Sequence, residues 1–162
     1  MKHLWTPWRM EWIRRDKKQF ELEHGCIFCK RGGQEDGLIV ARGSHVYLML
    51  NASPYNMAHL LVVPYAHCAS TEDLDADTLL DLMQTSNRAM SCLRKLYQPA
   101  AFNVGANIGA EASASIPDHF HLHIVPRWAG ETGFITAIGD TRVIPDTLEN
   151  TGRELREIWH GQ

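Results

Sequence analysis

No stretch of this 162-residue sequence is apolar for long enough to cross a bilayer, since a spanning helix needs about 18 or more such residues in a row. The opening MKHLWTPWRMEWIRR breaks its apolar positions with charges and so lacks the core of an export signal. No membrane partner is expected, and the expected location is cytoplasmic. Charge of one sign is missing too: 16 Lys and Arg are interspersed with 19 Asp and Glu, for a net charge of −3. That excludes the basic stripe by which proteins hold duplex nucleic acid, so a small anionic ligand would have to be held by local groups. Cysteine is sparse, at positions 26, 29, 68 and 92. In a reducing compartment the C-x-x-C pair of Cys26 and Cys29 points to metal binding or redox chemistry before it points to a disulfide framework. Neither repeats nor low-complexity linkers interrupt the chain, and 44% hydrophobic residues suffice for a core, so one domain over 1–162 is expected.

What is present is an alternation of short apolar runs with one long helical pattern. Residues 1–25 form an aromatic arm in which Leu4, Trp5, Trp8, Trp12 and Ile13 recur every three to four positions, as in a short amphipathic helix. Such tryptophans either stack on a nucleobase or pack against the domain or a second copy, and packing is the commoner use, also for Trp128 and Trp159. Residues 26–33 (CIFCKRGG) read as a turn-rich knuckle. GLIVARG and HVYLMLN follow as a hairpin turning at Gly43-Ser44, then MAHLLVVP as a strand closed by Pro64, with His67 and Cys68 in the loop after it. Over 75–97, Leu79, Leu82, Met83, Met90, Leu93 and Leu96 keep helical spacing, with Asp75 as N-cap, Cys92 on the apolar side and Pro99 just beyond the end. The acidic residues of 72–81 suit the solvated start of that helix. AAFNVGANI and HFHLHIVPRW read as strands flanking the loop 109–118, and 147–159 as a terminal helix. Strands in runs with one central helix give an α+β domain.

The chemistry concentrates in HFHLHIVPRW. Successive side chains of a strand alternate faces, so His119, His121 and His123 share one face while Phe120, Leu122 and Ile124 share the other. A rise of about 3.3 Å per residue spaces neighbouring imidazoles about 6.6 Å apart, too far for one metal to take all three. A neutral imidazole whose second nitrogen is fixed by a hydrogen bond can attack phosphorus and later leave. His121, the central member, is the candidate nucleophile. The plainer alternative, a half-buried strand of hydrogen-bonded histidines, fits one histidine better than three, since histidine is not a preferred strand filler.

The run His119-Phe120-His121-Leu122-His123-Ile124-Val125 resembles the H-φ-H-φ-H-φ-φ motif of the histidine-triad superfamily, and Pro126-Arg127-Trp128 extends the likeness. Asn51, the segment from His59 to Pro64, and Asn107-Ile108-Gly109 match upstream. LWTPWRMEWI, FNVGANIG and GFITAIGDTRVIP make the chain most like the bacterial diadenosine tetraphosphate phosphorylase branch.

That resemblance implies a histidine-triad fold, an antiparallel sheet with one long central helix and a C-terminal helix. It implies a nucleotidyltransferase using His119, His121 and His123, in which His121 takes the nucleotidyl group and orthophosphate or water resolves the intermediate. His123 and Ser115 would contact phosphate, Asn51 a ribose hydroxyl, Asn107 the phosphate or leaving group, and His59 would support the hydrogen-bond network. Asn51 and Asn107 also suit ordinary turns. Ser113 and Ala114 stand where a Gly-Gln pair is common in several branches, which would leave room for orthophosphate. The resemblance further implies a homodimer and no organic cofactor. In zinc-containing bacterial members Cys26, Cys29, His67 and His119 would form a closed Cys₂His₂ structural zinc site, with Cys68 a competing ligand; the alternative is two reduced thiols and two surface histidines. Competing functions are a hydrolase of dinucleoside polyphosphates or nucleotide phosphoramidates, a hydrolase with a catalytic zinc on two strand histidines, and a noncatalytic nucleotide sensor.

Overall fold

The structure is a computed structural model that describes residues 25–112, 114–131, 133–139, 141 and 143–161. The aromatic arm expected over 1–25 therefore lies almost wholly outside the described residues, as does Ser113. Strands β1 (Ile39–Arg42), β2 (Val46–Leu50), β3 (Leu60–Pro64), β4 (Ala101–Gly105) and β5 (Leu122–Arg127) form one sheet in the order β1-β2-β3-β5-β4. Every neighbouring pair is antiparallel. Helices α1 (Ile27–Gly33), α2 (Ala76–Tyr97), α3 (Phe134–Gly139) and α4 (Leu148–His160), with short 3-10 turns at Thr71–Asp73 and Ala110–Ala112, complete the described elements. The α+β class is as expected.

Alternation along the strands divides the apolar residues between two faces. Val46, Leu48 and Leu50 of β2, Leu60 and Val62 of β3, and Ile124 of β5 join Leu82, Ala89, Cys92 and Leu93 of α2 and Leu155 and Trp159 of α4 in the main core. Phe120 and Leu122 continue the same face ahead of Ile124. On the opposite face Tyr47, Met49, Leu61 and Val63 pack with Phe28 of α1. Both central strands are thus buried throughout, which is why they read as unbroken apolar runs. The side of the sheet that lacks the two long helices is where the histidines lie.

The long helix begins and ends as its sequence predicts. Asp75 caps it by accepting the Thr78 N–H at 2.7 Å, and the chain leaves through Gln98 in the left-handed region ahead of Pro99. Met83, expected on the apolar side, is exposed; Leu82 and Ser86 hold the buried stripe there. In α4 the Thr147 hydroxyl caps the first turn. On the outer flank of α2, Asp81 accepts the His45 backbone N–H at 2.8 Å, fastening the β1–β2 turn. A Cβ on Gly43 would meet an Asp81 oxygen at 3.0 Å, so this turn needs glycine for the close approach.

Three local readings change. The expected knuckle at 26–33 is a helical segment, α1, which the burial of Phe28 beneath it anchors; the glycine pair marks its end. The histidine strand starts only at Leu122, because the Phe120 N–H pairs with the Cys68 carbonyl at 2.6 Å, outside the sheet ladder. Strand β4 stops at Gly105, leaving Asn107 beyond it. Leu93 is fully buried and Leu80 is 57% exposed on the same helix. Leu93→Ala should lower the unfolding free energy in urea by about 2–5 kcal/mol, whereas Leu80→Ala should stay within about 0.5 kcal/mol of the parent.

Candidate active site and metal centre

The register of the sheet brings the histidines together. His123 of β5 pairs with Leu61 of β3 on one side and Gly105 of β4 on the other. His59, two residues before Leu61, therefore falls on the same face beside His123. The rings form a row: His121 and His123 lie 4.9 Å apart between centroids, and His123 and His59 lie 5.1 Å apart. The 4.9 Å spacing is shorter than the strand rise suggests; the rings tilt by 58° to each other, and His121 stands just ahead of the regular strand. Phe28 closes the row at the His121 end, 4.9 Å between centroids. Tyr55 closes the other end, its ring 4.7 Å from His59 and stacked on His123 at 5.8 Å with a 16° tilt.

Main-chain groups determine which nitrogen of each ring carries the proton. His121 Nδ1 lies 2.9 Å from the His119 carbonyl, which can only accept. Nδ1 is therefore the donor, and Nε2 of His121 keeps its lone pair. At His59 the polarity reverses: the Tyr55 backbone N–H, which can only donate, points at Nδ1 from 3.0 Å. Nε2–H of His59 must then donate to His123 Nδ1, 2.9 Å away. His123 is left with its proton on Nε2, a buried nitrogen with no hydrogen-bond partner among the described residues. The row thus presents one lone pair, on His121, and one unused N–H donor, on His123.

Burial sets the charge state. It pushes the His59 imidazole down to about 3, with His123 and His121 adding to the effect, and His123 down to about 4. His121 is lowered as well, mainly by burial, against the opposing bond to the His119 carbonyl. At neutral pH these rings are uncharged, as a nucleophile and a neutral donor require.

His119 faces elsewhere. Its Nε2 lies 2.9 Å from the Pro64 carbonyl, which makes Nε2 the donor and Nδ1 the lone pair. That lone pair converges with Cys26, Cys29 and His67: Nδ1 of His119 is 3.3 Å from Cys26 Sγ, 3.5 Å from Cys29 Sγ and 3.3 Å from His67 Nδ1. Cys29 Sγ is 3.4 Å from His67 Nδ1, and the four ligand atoms all lie within 4.8 Å of one another. A tetrahedral ion with bonds of about 2.3 Å to sulfur and about 2.05 Å to nitrogen would separate S and N by about 3.5 Å and the two nitrogens by about 3.3 Å. The donor set therefore fits a metal ion, and the bond to Pro64 supplies the outer partner that metal-bound histidines use. Cys68, next to His67, turns instead toward the main core and is not in the set, because neighbours along an extended chain point to opposite sides.

The remaining candidates stand around this row. Asn51 Oδ1 accepts the Ser53 N–H at 2.9 Å, the turn its residue type suggests, while Nδ2 is 3.3 Å from His59 Nδ1. Asn107 lies two residues past Gly105, the partner of His123. Ser115 sits in the loop before His119 next to the buried Ala114. Among the described residues neither Asn107 nor Ser115 shares a hydrogen bond with a triad imidazole. Sequence reasoning did not find Phe28, Tyr55 or the Pro64 carbonyl. Phe28 could have been noticed between the two cysteines, whereas Pro64 and the hydrogen bond from Tyr55 act through main-chain atoms that no residue type announces.

A family model described as HIT domain matches residues 33–130. The chain is 39% identical over 168 aligned residues to a protein of Mycobacterium tuberculosis named AP-4-A phosphorylase, covering 100% of this chain and 86% of that one. It is 31% identical over 78 residues to a bis(5'-nucleosyl)-tetraphosphatase (asymmetrical) of Schizosaccharomyces pombe, covering 48% of this chain and 42% of that one. Among solved structures, a Zn-bound histidine triad family protein from Mycobacterium smegmatis superposes with a TM-score of 0.68 at 25% identity, covering 85% of this chain and 97% of that chain.

The lowered histidines also give the fold an acid limit. Unfolded, His59 and His123 would titrate near 6.5; folded, they resist protonation down to about 3 and about 4. Below pH 6.5 the unfolded chain binds more protons, so stability falls as pH falls toward these values. Denaturant unfolding between pH 7 and pH 4 should show that decline, with a shallower slope in His59→Gln; equal slopes would assign the acid sensitivity to other groups.

Proposed function

The chain belongs to the histidine-triad (HIT) family and is an enzyme of it, and we propose that it cleaves dinucleoside polyphosphates at the α-phosphate through a nucleotidyl-histidine on His121. The observation that carries this reading is the fixed proton pattern of the row, with a lone pair on His121 Nε2 beside an unused N–H on His123. In the first step that lone pair forms a bond to the α-phosphorus as the bridging P–O bond opposite it breaks. With diadenosine tetraphosphate the bond electrons leave with ATP, and an adenylyl group stays on the ring. His123 Nε2–H donates to a non-bridging oxygen of the α-phosphate, whose charge grows in the transition state, and the neighbouring rings exclude water from that bond. Orthophosphate then attacks the same phosphorus, ADP departs, and His121 regains its lone pair.

The other residues have positioning parts in this proposal. His59 fixes the His123 tautomer, Asn51 holds a ribose hydroxyl, and Asn107 and Ser115 meet the phosphates from the connection between β4 and β5. His119 takes part through its carbonyl, since both its ring nitrogens face away from the substrate. Orthophosphate as acceptor is supported by the relative named a phosphorylase, which matches the full length of this chain, and by the small, buried Ala114. We further propose that Cys26, Cys29, His67 and His119 hold zinc, supported by the fit of the donor set and the Zn-bound relative. With four protein ligands the ion would have no free position for a water, and its chemistry would be to tie α1 to the end of β3 and the start of the triad. A homodimer belongs to the same reading. The exposed Val104 and Ile108 at the β4 edge, and Phe134, Ile135 and Ile138 of α3, are apolar surface suited to a second copy.

Product analysis tests the reaction. Incubated with diadenosine tetraphosphate, the protein should yield ATP and ADP only when orthophosphate is present, and His121→Ala should lower the rate on the order of a thousandfold or more. AMP formed without orthophosphate would make it the hydrolase instead. Nucleotide bound without turnover, and equally well by His121→Asn, would leave a sensor.

A further inference from the structure

The metal donors and His121 share two pieces of chain. One is His119, whose ring nitrogen Nδ1 belongs to the donor set while its carbonyl anchors His121 Nδ1. The other is the start of α1. Cys26 and Cys29 bracket Phe28, whose ring is buried against both triad members: edge-on to His119 at 5.4 Å and 65°, and tilted against His121 at 4.9 Å and 49°. The Phe28 carbonyl in turn accepts the hydroxyl of the buried Tyr47 at 2.8 Å.

Helix α1 is only 7 residues long, and its N-cap, Cys26, makes no side-chain capping bond. A helix of that length does not hold itself together in water. What keeps Phe28 in place is the packing beneath it, the Tyr47 hydroxyl on its carbonyl, the Arg42 guanidinium on the carbonyls at the end of α1, and whatever joins Cys26 and Cys29 to the sheet. An imidazole with one hydrogen bond can still swing about the axis of that bond, and a second contact against the ring restricts this freedom.

We propose that Phe28 is a positioning residue for His121, and that the metal centre orients the nucleophile from a distance by holding both the Phe28 ring and the His119 carbonyl. The ion takes no part in bond making. It fixes Cys26, Cys29 and His119, and these fix the wall and the anchor between which the His121 ring is set. In-line attack depends on this setting, since a displacement of about 1 Å can cost on the order of a hundredfold in rate. The kinetic part of this inference rests on the proposal that His121 is the nucleophile; the spectroscopic part does not.

The experiment compares wild type, Phe28→Leu and Phe28→Ala, all loaded with zinc and assayed for metal, with chelated wild type as a fourth sample. Ring nitrogens of His121, assigned with His121→Asn, are followed by long-range proton–nitrogen NMR. Loaded wild type should show a single Nδ1-protonated ring, and both the chelated protein and loaded Phe28→Ala should show mixed or broadened His121 signals. In turnover of diadenosine tetraphosphate with orthophosphate, Phe28→Ala should lose about ten- to a hundredfold in kcat with KM changed less than about twofold, and Phe28→Leu, which keeps most of the volume, should lose less. A raised KM at unchanged kcat would make the ring a substrate contact and overturn the proposal. His121 signals indifferent to chelation and to Phe28→Ala would overturn it equally. If wild type turns over no nucleotide, the proposed function falls while the NMR comparison still decides this inference.

Discussion

A neutral imidazole carries one proton on two nitrogens, and in this protein groups that cannot change polarity decide where that proton sits. The Tyr55 N–H can only donate, and the carbonyls of Pro64 and His119 can only accept. From these three come a lone pair on His119 turned toward the two cysteines and His67, a lone pair left on His121 Nε2, and a buried, unpartnered donor on His123. The groups flank or end β3, or lie on the approach to β5. Strand β3 is buried on both faces, so the densest part of the core holds the proton pattern still. A site with the same residues on a looser sheet would sample both tautomers of each ring.

How much of this could be read from the residues depends on whether side chains or main chain do the work. The two faces of the triad segment were legible, because Phe120, Leu122 and Ile124 enter the core as period two requires. Asp75 and the long helix were legible for the same reason: capping and helical spacing are written in side chains. The start of β5 was not, because the ladder partner of Phe120 is the main chain of Cys68, in a loop whose path no local pattern gives. Helix α1 was hidden by its length and its glycine pair. His67 meets His119 because the antiparallel order of β3 and β5 places the end of one beside the start of the other, and Cys26 and Cys29 join them through the packing of α1; the spacing of the four residues does not encode it.

Charge is handled in the same economical way. A polyphosphate is strongly anionic, yet the chain is slightly acidic overall and the row of buried rings is uncharged. Neutral donors in a dry site bind oxygen strongly where the surroundings are preorganised, since little solvent competes with them. Burial, which makes the imidazoles hard to protonate, is therefore also what makes their N–H groups effective. The cost is acid sensitivity of the whole fold, because the rings gain a preferred protonation state only by being enclosed.

Tyr55 contributes to the row both through its ring and through its backbone N–H, and the two contributions are exposed to mutation differently. The ring can be exchanged for another by altering one codon. The N–H survives every exchange but one: proline, alone among the residues, has none. The tautomer of His59, and through it that of His123, is thus insulated from most sequence drift in the loop and vulnerable to a single residue type. A loop of this kind can diversify its surface toward different substrates while the proton order behind it is inherited unchanged.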